Sequence, residues 1–214
     1  PPKPEPTPEP IVVPDPQPDP APGPVVENLV QKPVASGMNW NWGVWGTEVT
    51  HKPQAMYLNA HLLPPATVDH WVSGVVQYNL QGVGRAGAIV FEDRKPNLYI
   101  EGNVTFHLTL GNGLSTWNGL YSLGNSGGDS LSFTAGGTIH ADHVLHGQAQ
   151  NDYALVIDGR TFCHDTLVGN SVNGNLLGNP NPVAPVTGAA GRLQFDHGPA
   201  GPKIDGVYGV DFTP

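Results

Sequence analysis

The chain has 214 residues, enough for one sizeable domain, and only 13% of them are charged, whereas glycine (28) and proline (23) are abundant. This composition favours short strands joined by tight turns and predicts little helix. The formal net charge is −9 and no basic stripe is present, which argues against nucleic acid and anionic membrane surfaces as partners. No apolar run of about eighteen residues occurs, so the sequence predicts no transmembrane helix.

The segment Pro1–Pro24 is a low-complexity stretch in which half of the residues are proline. Proline fixes φ and lacks the N–H that helices and sheets need, so an extended polyproline II conformation is predicted. The segment can serve as a stalk that displays a domain, as a ligand for aromatic grooves, or simply as an interdomain linker. Its one apolar run is Ile11, Val12 and Val13. We expect this run to anchor the segment on a protein partner or a neighbouring subunit, where it could add a short edge strand.

The N-terminal segment 25–71 is rich in tryptophan and is predicted to pack on the barrel that follows it. Within Met38–Gly46, Trp40 and Trp42 share one face of a strand, and Trp45 lies on the other face. Three tryptophans so close together could line a binding site for sugars or flat aromatic molecules. The alternative interpretation is a plug that closes one end of a small barrel, because each indole buries a large apolar area.

Between residues 72 and 214 the chain contains short alternating runs punctuated by glycine. In Val104–Leu110 the first, third, fifth and seventh residues are apolar and those between them are polar, which indicates a strand with one buried face. Asn112-Gly113 and Asp158-Gly159 are typical of hairpin turns. The predicted strands are Val75–Gln81, Ala88–Phe91, Leu98–Glu101, Val104–Leu110, Thr116–Leu123, Leu131–Ala135, Ile139–Ala149, Tyr153–Asp158, Arg192–Asp196 and Val207–Phe212.

Short connections imply antiparallel neighbours, and a long meander must close or split to protect its edges. We therefore predict an all-β fold: a small antiparallel meander β-barrel of about eight strands, preceded by a Pro-rich extended segment. The segment Phe162–Pro185 lacks regular alternation and is predicted to be a surface loop. The predicted core comprises the apolar faces of the alternating runs: Val76, Tyr78, Leu80, Val104, Phe106, Leu108, Leu110, Leu131, Phe133, Leu193 and Phe195.

The nine histidines are the main source of possible site chemistry, and His140, His143 and His146 are spaced H-x-x-H-x-x-H. A transition-metal site needs three or four convergent ligands. In an extended strand, however, His140 and His146 share a face that His143 does not. A metal site at these three residues and a set of solvated strand and turn histidines both remain open.

Two further motifs resemble reactive sites only superficially. Gly82–Gly87 matches G-x-G-x-x-G, but that fingerprint has meaning only between a strand and a helix, and a glycine-rich hairpin is predicted here. Cys163, the single cysteine, directly precedes His164, and adjacent residues of an extended segment point to opposite faces. A buried structural cysteine is therefore predicted, and neither an enzyme nor a cofactor is expected.

The order of several motifs resembles a known bacterial family. W-G-V-W-G at Trp42–Gly46, H-W-V-S-G at His70–Gly74 and V-x-Y-x-L-x-G at Val76–Gly82 are similar to the C-terminal β-barrel domain of FecR-domain-containing proteins of Gram-negative bacteria. The spacing of strands and glycines through Asp211 is also similar to the barrels of transferrin-binding surface lipoproteins. Over Met38–Pro214 this resemblance implies an extracytoplasmic, non-enzymatic barrel, at the cell surface, associated with the outer membrane or secreted. The FecR domain itself is absent from this sequence, so its signalling role does not carry over.

The leading functional hypothesis is a β-barrel module on a Pro-rich stalk that binds protein or assembles at the cell envelope. The alternative is a haem- or metal-binding carrier for nutrient capture that uses histidine-containing loops. A hydrolase is the third hypothesis, but no residue can be named for its chemistry.

Overall fold

The computed structural model describes residues 29–47, 52–93, 95–113, 115–139, 144–178 and 186–213, which form thirteen strands, one α-helix and one 3₁₀ turn. The predicted stalk Pro1–Pro24 lies outside these residues. The helix α1 spans Pro65–Ser73, and the 3₁₀ turn spans His164–Thr166. The strands are β1 (Leu29–Ser36), β2 (Trp40–Thr47), β3 (Pro53–Ala60), β4 (Tyr78–Phe91), β5 (Leu98–Leu110), β6 (Thr116–Gly124), β7 (Ser130–Ile139), β8 (Val144–Ala149), β9 (Ala154–Ile157), β10 (Arg160–Cys163), β11 (Gly169–Leu177), β12 (Gly188–Asp196) and β13 (Lys203–Thr213).

Eight antiparallel strands close into a barrel in the order β4-β5-β6-β7-β8-β11-β12-β13, and β13 pairs back with β4. The predicted all-β barrel is therefore confirmed. The hairpin β9–β10 branches from β7, where Ser130–Ser132 pair with β9. Asn112-Gly113 and Asp158-Gly159 both have positive φ at the two residues, as a tight hairpin turn requires.

Among the described residues, the barrel closes through a short ladder between β8 and β11. Within the described residues, Gly174 pairs with Leu145 and Asn175 pairs with Val144 as backbone partners. Further along, the side-chain amide of Asn170 replaces a backbone peptide: its Oδ1 accepts from the Ala149 N–H at 2.7 Å, and its Nδ2 donates to the Ala149 carbonyl at 2.9 Å. One amide side chain thus bridges the two strands where the ladder stops.

The barrel interior is filled by the apolar faces of its strands. Eight members of the predicted core are confirmed as buried: Val104, Phe106, Leu108, Leu110, Leu131, Phe133, Leu193 and Phe195. The prediction is wrong for Val76 and Tyr78, which are exposed, while Leu80 is partly buried against the core. The reason is that β4 begins only at Tyr78, at the rim of the barrel, so Val76 precedes the strand.

The glycine-rich stretch Gly82–Gly87 is not a hairpin, because it forms the middle of the single 14-residue strand β4. Its glycines make room for bulky neighbours on both faces. A Cβ at Gly82 would lie 2.7 Å from the Phe212 ring, and one at Gly87 would lie 2.6 Å from the Trp42 ring. Two predicted strands, Leu98–Glu101 and Val104–Leu110, form the single strand β5. The glycine between them, Gly102, allows β6 to approach, because a Cβ there would collide with the Ser122 carbonyl.

The segment predicted as a surface loop, Phe162–Pro185, contains the nine-residue barrel strand β11. Its sequence is rich in Asn, Gly and Ser, so the outward-facing residues lack the β-branched and aromatic side chains that indicate a strand. The inward face nevertheless alternates: Val172, Gly174 and Leu176 are buried. Gly174 must be small because a Cβ there would collide with the Tyr208 hydroxyl inside the barrel.

The strands β1, β2 and β3 form a separate antiparallel sheet that packs against the outer wall of the barrel. Trp40 and Trp42 are buried between the two layers, against residues such as Ile89 and Val207 that point away from the barrel interior. The interpretation of the tryptophans as a plug of the barrel end is therefore wrong. The plug interpretation failed because an indole can also bury its area against the face of a sheet. Glycines at 87 and 209 leave space on the outer face of the barrel for the Trp42 and Trp40 rings.

Candidate binding site at the barrel end

Helix α1 covers the end of the barrel at which β4 begins. Leu63 and Val68 are buried in the interior cluster, and Trp71 and Val72 pack against it. Proline at residue 65 suits the first helical turn, because its fixed φ is that of a helix and its missing N–H would have no partner there. The apolar face of α1 thus substitutes for a plug at this end of the barrel.

An exposed apolar patch lies where α1 passes into β4. Val75 is 90% exposed, Val76 54% and Tyr78 39%, and the Trp71 ring packs edge-on against Tyr78 with their centroids 4.6 Å apart. We call these four residues the α1 patch. Contiguous exposed apolar and aromatic side chains of this kind mark interaction sites more often than isolated ones do.

The α1 patch is held in place by the β5–β6 turn. The Asn112 N–H donates to the Gly74 carbonyl at 2.6 Å. Gly111 has a φ of +95°, and a Cβ there would collide with the Val76 carbonyl oxygen, so glycine permits this close approach. The backbone that carries Val75 and Val76 is therefore fixed before any partner binds, which lowers the entropy cost of binding.

The opposite end of the barrel, where β4 ends, carries charged loops. Lys95 Nζ lies 2.9 Å from Glu92 Oε2 and 2.7 Å from Asp158 Oδ2, and Arg160 also pairs with Glu92. Burial raises the pKa of the Glu92 carboxyl, but hydrogen bonds from Lys95 and Arg160 outweigh it and hold that pKa below its usual range. We call these four residues the charged end. Their charges are satisfied by one another, so the two ends of the barrel offer different surfaces.

The three tryptophans predicted as a ligand site do not face one another. Trp40 and Trp42 face the barrel, and the Trp40 Nε1–H donates to Asp211 Oδ1 at 2.9 Å. Trp45 lies on the other face of β2, partly exposed, with its ring 6.1 Å from the Tyr57 ring and edge-on to it. A ligand role for the tryptophans stays a prediction, and Trp45 is the member with an accessible face.

The residues of the predicted metal site are only partly described. His146 lies on β8 opposite Thr138, whereas His140 and His143 lie outside the described residues. Within the ranges that the structure covers, no group of three or more potential ligands converges on one point. The haem or metal carrier therefore stays a prediction, to be tested by an optical titration with haemin, Zn²⁺ and Cu²⁺.

The predicted anchor residues Ile11, Val12 and Val13 also lie outside the described residues, so their role in binding a partner stays a prediction. Cys163, in contrast, is described and exposed at the end of β10, so the prediction of a buried cysteine is wrong. The reason is that β10 is the last strand in the order of its sheet, so it pairs with β9 along one edge and its other edge has no neighbouring strand among the described residues.

A histidine that the sequence did not single out, His197, joins three elements near the charged end. The Thr166 hydroxyl donates to the Cys163 carbonyl at 2.7 Å and therefore accepts from His197 Nδ1, also at 2.7 Å. Nε2 then accepts from the Tyr153 hydroxyl at 2.9 Å. Burial lowers the pKa of this imidazole, which favours its neutral form. No spacing in the sequence could have revealed this network, because its members are up to 44 residues apart.

The fold and the site together define a small closed barrel with a three-stranded sheet on its outer wall and an exposed apolar patch at one end. None of the helices among the described residues has the length and apolar character to span a membrane. No protein-family model matches the chain, and no curated protein sequence matches it significantly.

Two solved structures of transferrin-binding protein B from Haemophilus parasuis Hp5, a single and a double mutant, share this fold. Their TM-scores are 0.61 and 0.53, at 15% and 10% sequence identity. Each match covers 88% of this chain but only 36% and 38% of the neighbour, so the chain spans little more than a third of those proteins. The resemblance to transferrin-binding barrels is therefore confirmed for the fold, and the FecR association stays a prediction.

Proposed function

We propose that this chain is a non-enzymatic, extracytoplasmic binding module whose α1 patch engages a protein partner. The observation that carries the proposal is the exposure of Val75, Val76 and Tyr78 on a backbone fixed by the β5–β6 turn. Tryptophan and tyrosine, which the patch contains as Trp71 and Tyr78, are enriched among the residues that dominate interface affinity, and the exposed valines beside them add apolar area to bury. The charged end lacks this character, because its side chains pair with one another.

The structural neighbours support a protein as the partner, since they are named for binding transferrin. They also support a location outside the cytoplasm, in agreement with the family that the sequence resembles. The Pro-rich segment Pro1–Pro24 would then serve as the stalk that carries the barrel away from the envelope. Transferrin is accordingly the first partner to test.

The test is binding of the intact chain to immobilised transferrin, compared with two matched valine variants. Val75→Asp lies in the α1 patch, and Val168→Asp lies near the charged end, where Val168 is 73% exposed. Neither substitution should affect folding, because both side chains are on the surface. Losing one buried valine contact costs about 1.5–3 kcal/mol, so we expect roughly 10- to 100-fold weaker binding for Val75→Asp.

The Val168→Asp variant should bind like the unaltered chain. If both variants weaken binding equally, or only Val168→Asp does, the α1 patch is not the binding site. If the unaltered chain does not bind transferrin at all, transferrin is excluded as the partner.

A further inference from the structure

The outer edge of β3 has no neighbouring strand within the described residues. It is the last strand of the order β1-β2-β3, and the described part of the chain provides hydrogen bonds to this edge near its two ends. Asn97 Nδ2 donates to the Pro53 carbonyl at 2.8 Å, and just beyond Ala60 the Gly178 N–H donates to the His61 carbonyl at 3.2 Å. The backbone between these two points faces a groove.

The groove has a volume of about 600 Å³ and runs between β3 and the outer wall of the barrel. One side is apolar, with Met56 and Leu58 on β3 and Leu62 beyond it. The other side is formed by β11 and β12, with polar side chains such as Asn173 and Arg192. An extended peptide in this groove could pair with the β3 backbone and bury apolar side chains against it.

The edge of β3 lacks the features that normally protect an open edge. Its sequence from Pro53 to Ala60 contains no charged residue, and proline occurs only at its first position. The opposite edge of the same sheet, β1, carries Lys32 and Pro33. An uncharged open edge promotes unwanted pairing with other chains, and proteins usually cover such an edge. We therefore expect a segment of polypeptide to cover the edge of β3 in this groove.

One run of the N-terminal segment has the chemistry to pair there. Ile11–Val13 is the only apolar run in Pro1–Pro24, and it is the only place there where more than one non-proline residue stands between prolines. With the Val12 backbone facing β3, the next residues that face it are Pro10 and Pro14, which have no N–H to donate, so the added strand is limited to three residues. Each of the three side chains is apolar, as the Met56–Leu62 side of the groove requires.

The chain is also long enough to reach the groove. β1 begins at Leu29, opposite Thr47 at the end of β2, and the adjacent Gly46 lies opposite Pro53 at the start of β3. The fifteen residues between Val13 and Leu29 span about 45 Å at about 3.1 Å per residue. Crossing from β1 to the outer edge of β3 needs only about 15 Å, at about 4.8 Å per strand.

We propose that Ile11, Val12 and Val13 pair with the free edge of β3 in the same molecule as a short fourth strand of its sheet. Ile11 and Val13 share one face of this strand and point into the groove, and Val12 points outward. This acceptor within the chain differs from the separate partner that the sequence alone suggested. In this arrangement residues 1–10 remain free to act as the stalk of the proposed function. The proposal concerns another surface than the α1 patch, so either binding proposal can fail without the other.

The test is amide hydrogen exchange of the intact chain, followed over Gln54–Asn59 of β3, with β1 as the internal reference. The double variant Ile11→Ser/Val13→Ser should speed exchange in β3 by about tenfold or more, because the edge amides lose their partner. Val12→Ser is the matched control and should leave exchange unchanged. Tryptophan fluorescence verifies that each variant remains folded.

Equal exchange in the unaltered chain and the double variant would overturn the proposal. It would also be overturned if protection of β3 rose with protein concentration together with dimer formation, since the occupant would then belong to a second copy. Protection that appears only when a partner protein is added would likewise contradict it.

Discussion

Replacing Phe106 tests which face of the barrel strands is the interior. The Phe106 ring is fully buried and stacks on Trp117, with 5.1 Å between centroids and 4° between planes, and it lies about 6 Å from Tyr208 and Phe212. Phe106→Ala removes this ring and leaves a cavity that hydrogen-bonded strands cannot close, at a cost of about 3–5 kcal/mol. With about 2–4 °C per kcal/mol for a domain of this size, the thermal midpoint should fall by about 6–20 °C.

The assay is urea unfolding followed by tryptophan fluorescence, with Leu120→Ala as the control. Leu120 is 53% exposed on β6, next to the buried Tyr121, so its truncation should change the free energy of unfolding by less than about 0.5 kcal/mol. A loss below about 1 kcal/mol for Phe106→Ala, or an equal loss for both variants, would refute the assignment of the inner face.

Three further predictions follow from individual contacts. Gly209→Ala places a Cβ against the Trp40 ring, so it should shift tryptophan fluorescence and destabilise the chain by about 1–3 kcal/mol; an unchanged spectrum would contradict the packing of the sheet on the barrel. Asn170→Ala removes both hydrogen bonds to the Ala149 backbone, so it should lower the free energy of unfolding by about 1–3 kcal/mol and speed hydrogen exchange of the Ala149 amide. Unchanged stability and exchange would show that the β8–β11 contact does not depend on this side chain. Burial lowers the pKa of His197 in the folded chain below 6.5, so on acidification the unfolded chain is protonated at this residue before the folded chain is. The free energy of unfolding should therefore be level at neutral pH and fall as the pH drops through 6.5. A His197→Asn variant with the same pH profile would rule out this contribution.

Period-two alternation predicted the barrel interior wherever large side chains carried the pattern. Phe106, Phe133 and Leu193 were placed correctly because a strand with one buried face must repeat every two residues. Tight turns were equally readable, since Asn112-Gly113 adopts the positive φ values that its sequence indicates. Fold class therefore followed from local patterns, and closure followed from the need of a long meander to protect its edges.

The wrong predictions for β4 and β11 arose where a position must be glycine because a side chain distant in sequence packs against it. Gly82 and Gly87 were interpreted as a turn, but they are small because Phe212 and Trp42 occupy the space beside them. The strand β11 was missed because its inward-facing position 174 is a glycine and not a large apolar residue; the Tyr208 side chain fills the interior space beside it. A single sequence does not show which distant side chain fills the space at a glycine.

The candidate site could not be predicted for a related reason. Val76 and Tyr78 fit the alternating pattern and were assigned to the core, yet they lie beyond the closed part of the barrel. Their exposure depends on where α1 ends and on the contact between Gly74 and Asn112, which joins segments far apart in sequence. The same residues thus carry a core pattern and occupy the surface.

The most direct test of the proposed function is amide hydrogen exchange of the intact chain with and without transferrin. Binding through the α1 patch should slow exchange at Val75, Val76 and Tyr78 and in the adjacent turn Gly111–Gly113, while the charged end stays unchanged. Slower exchange around Asp158 instead, with the α1 patch unaffected, would contradict the account.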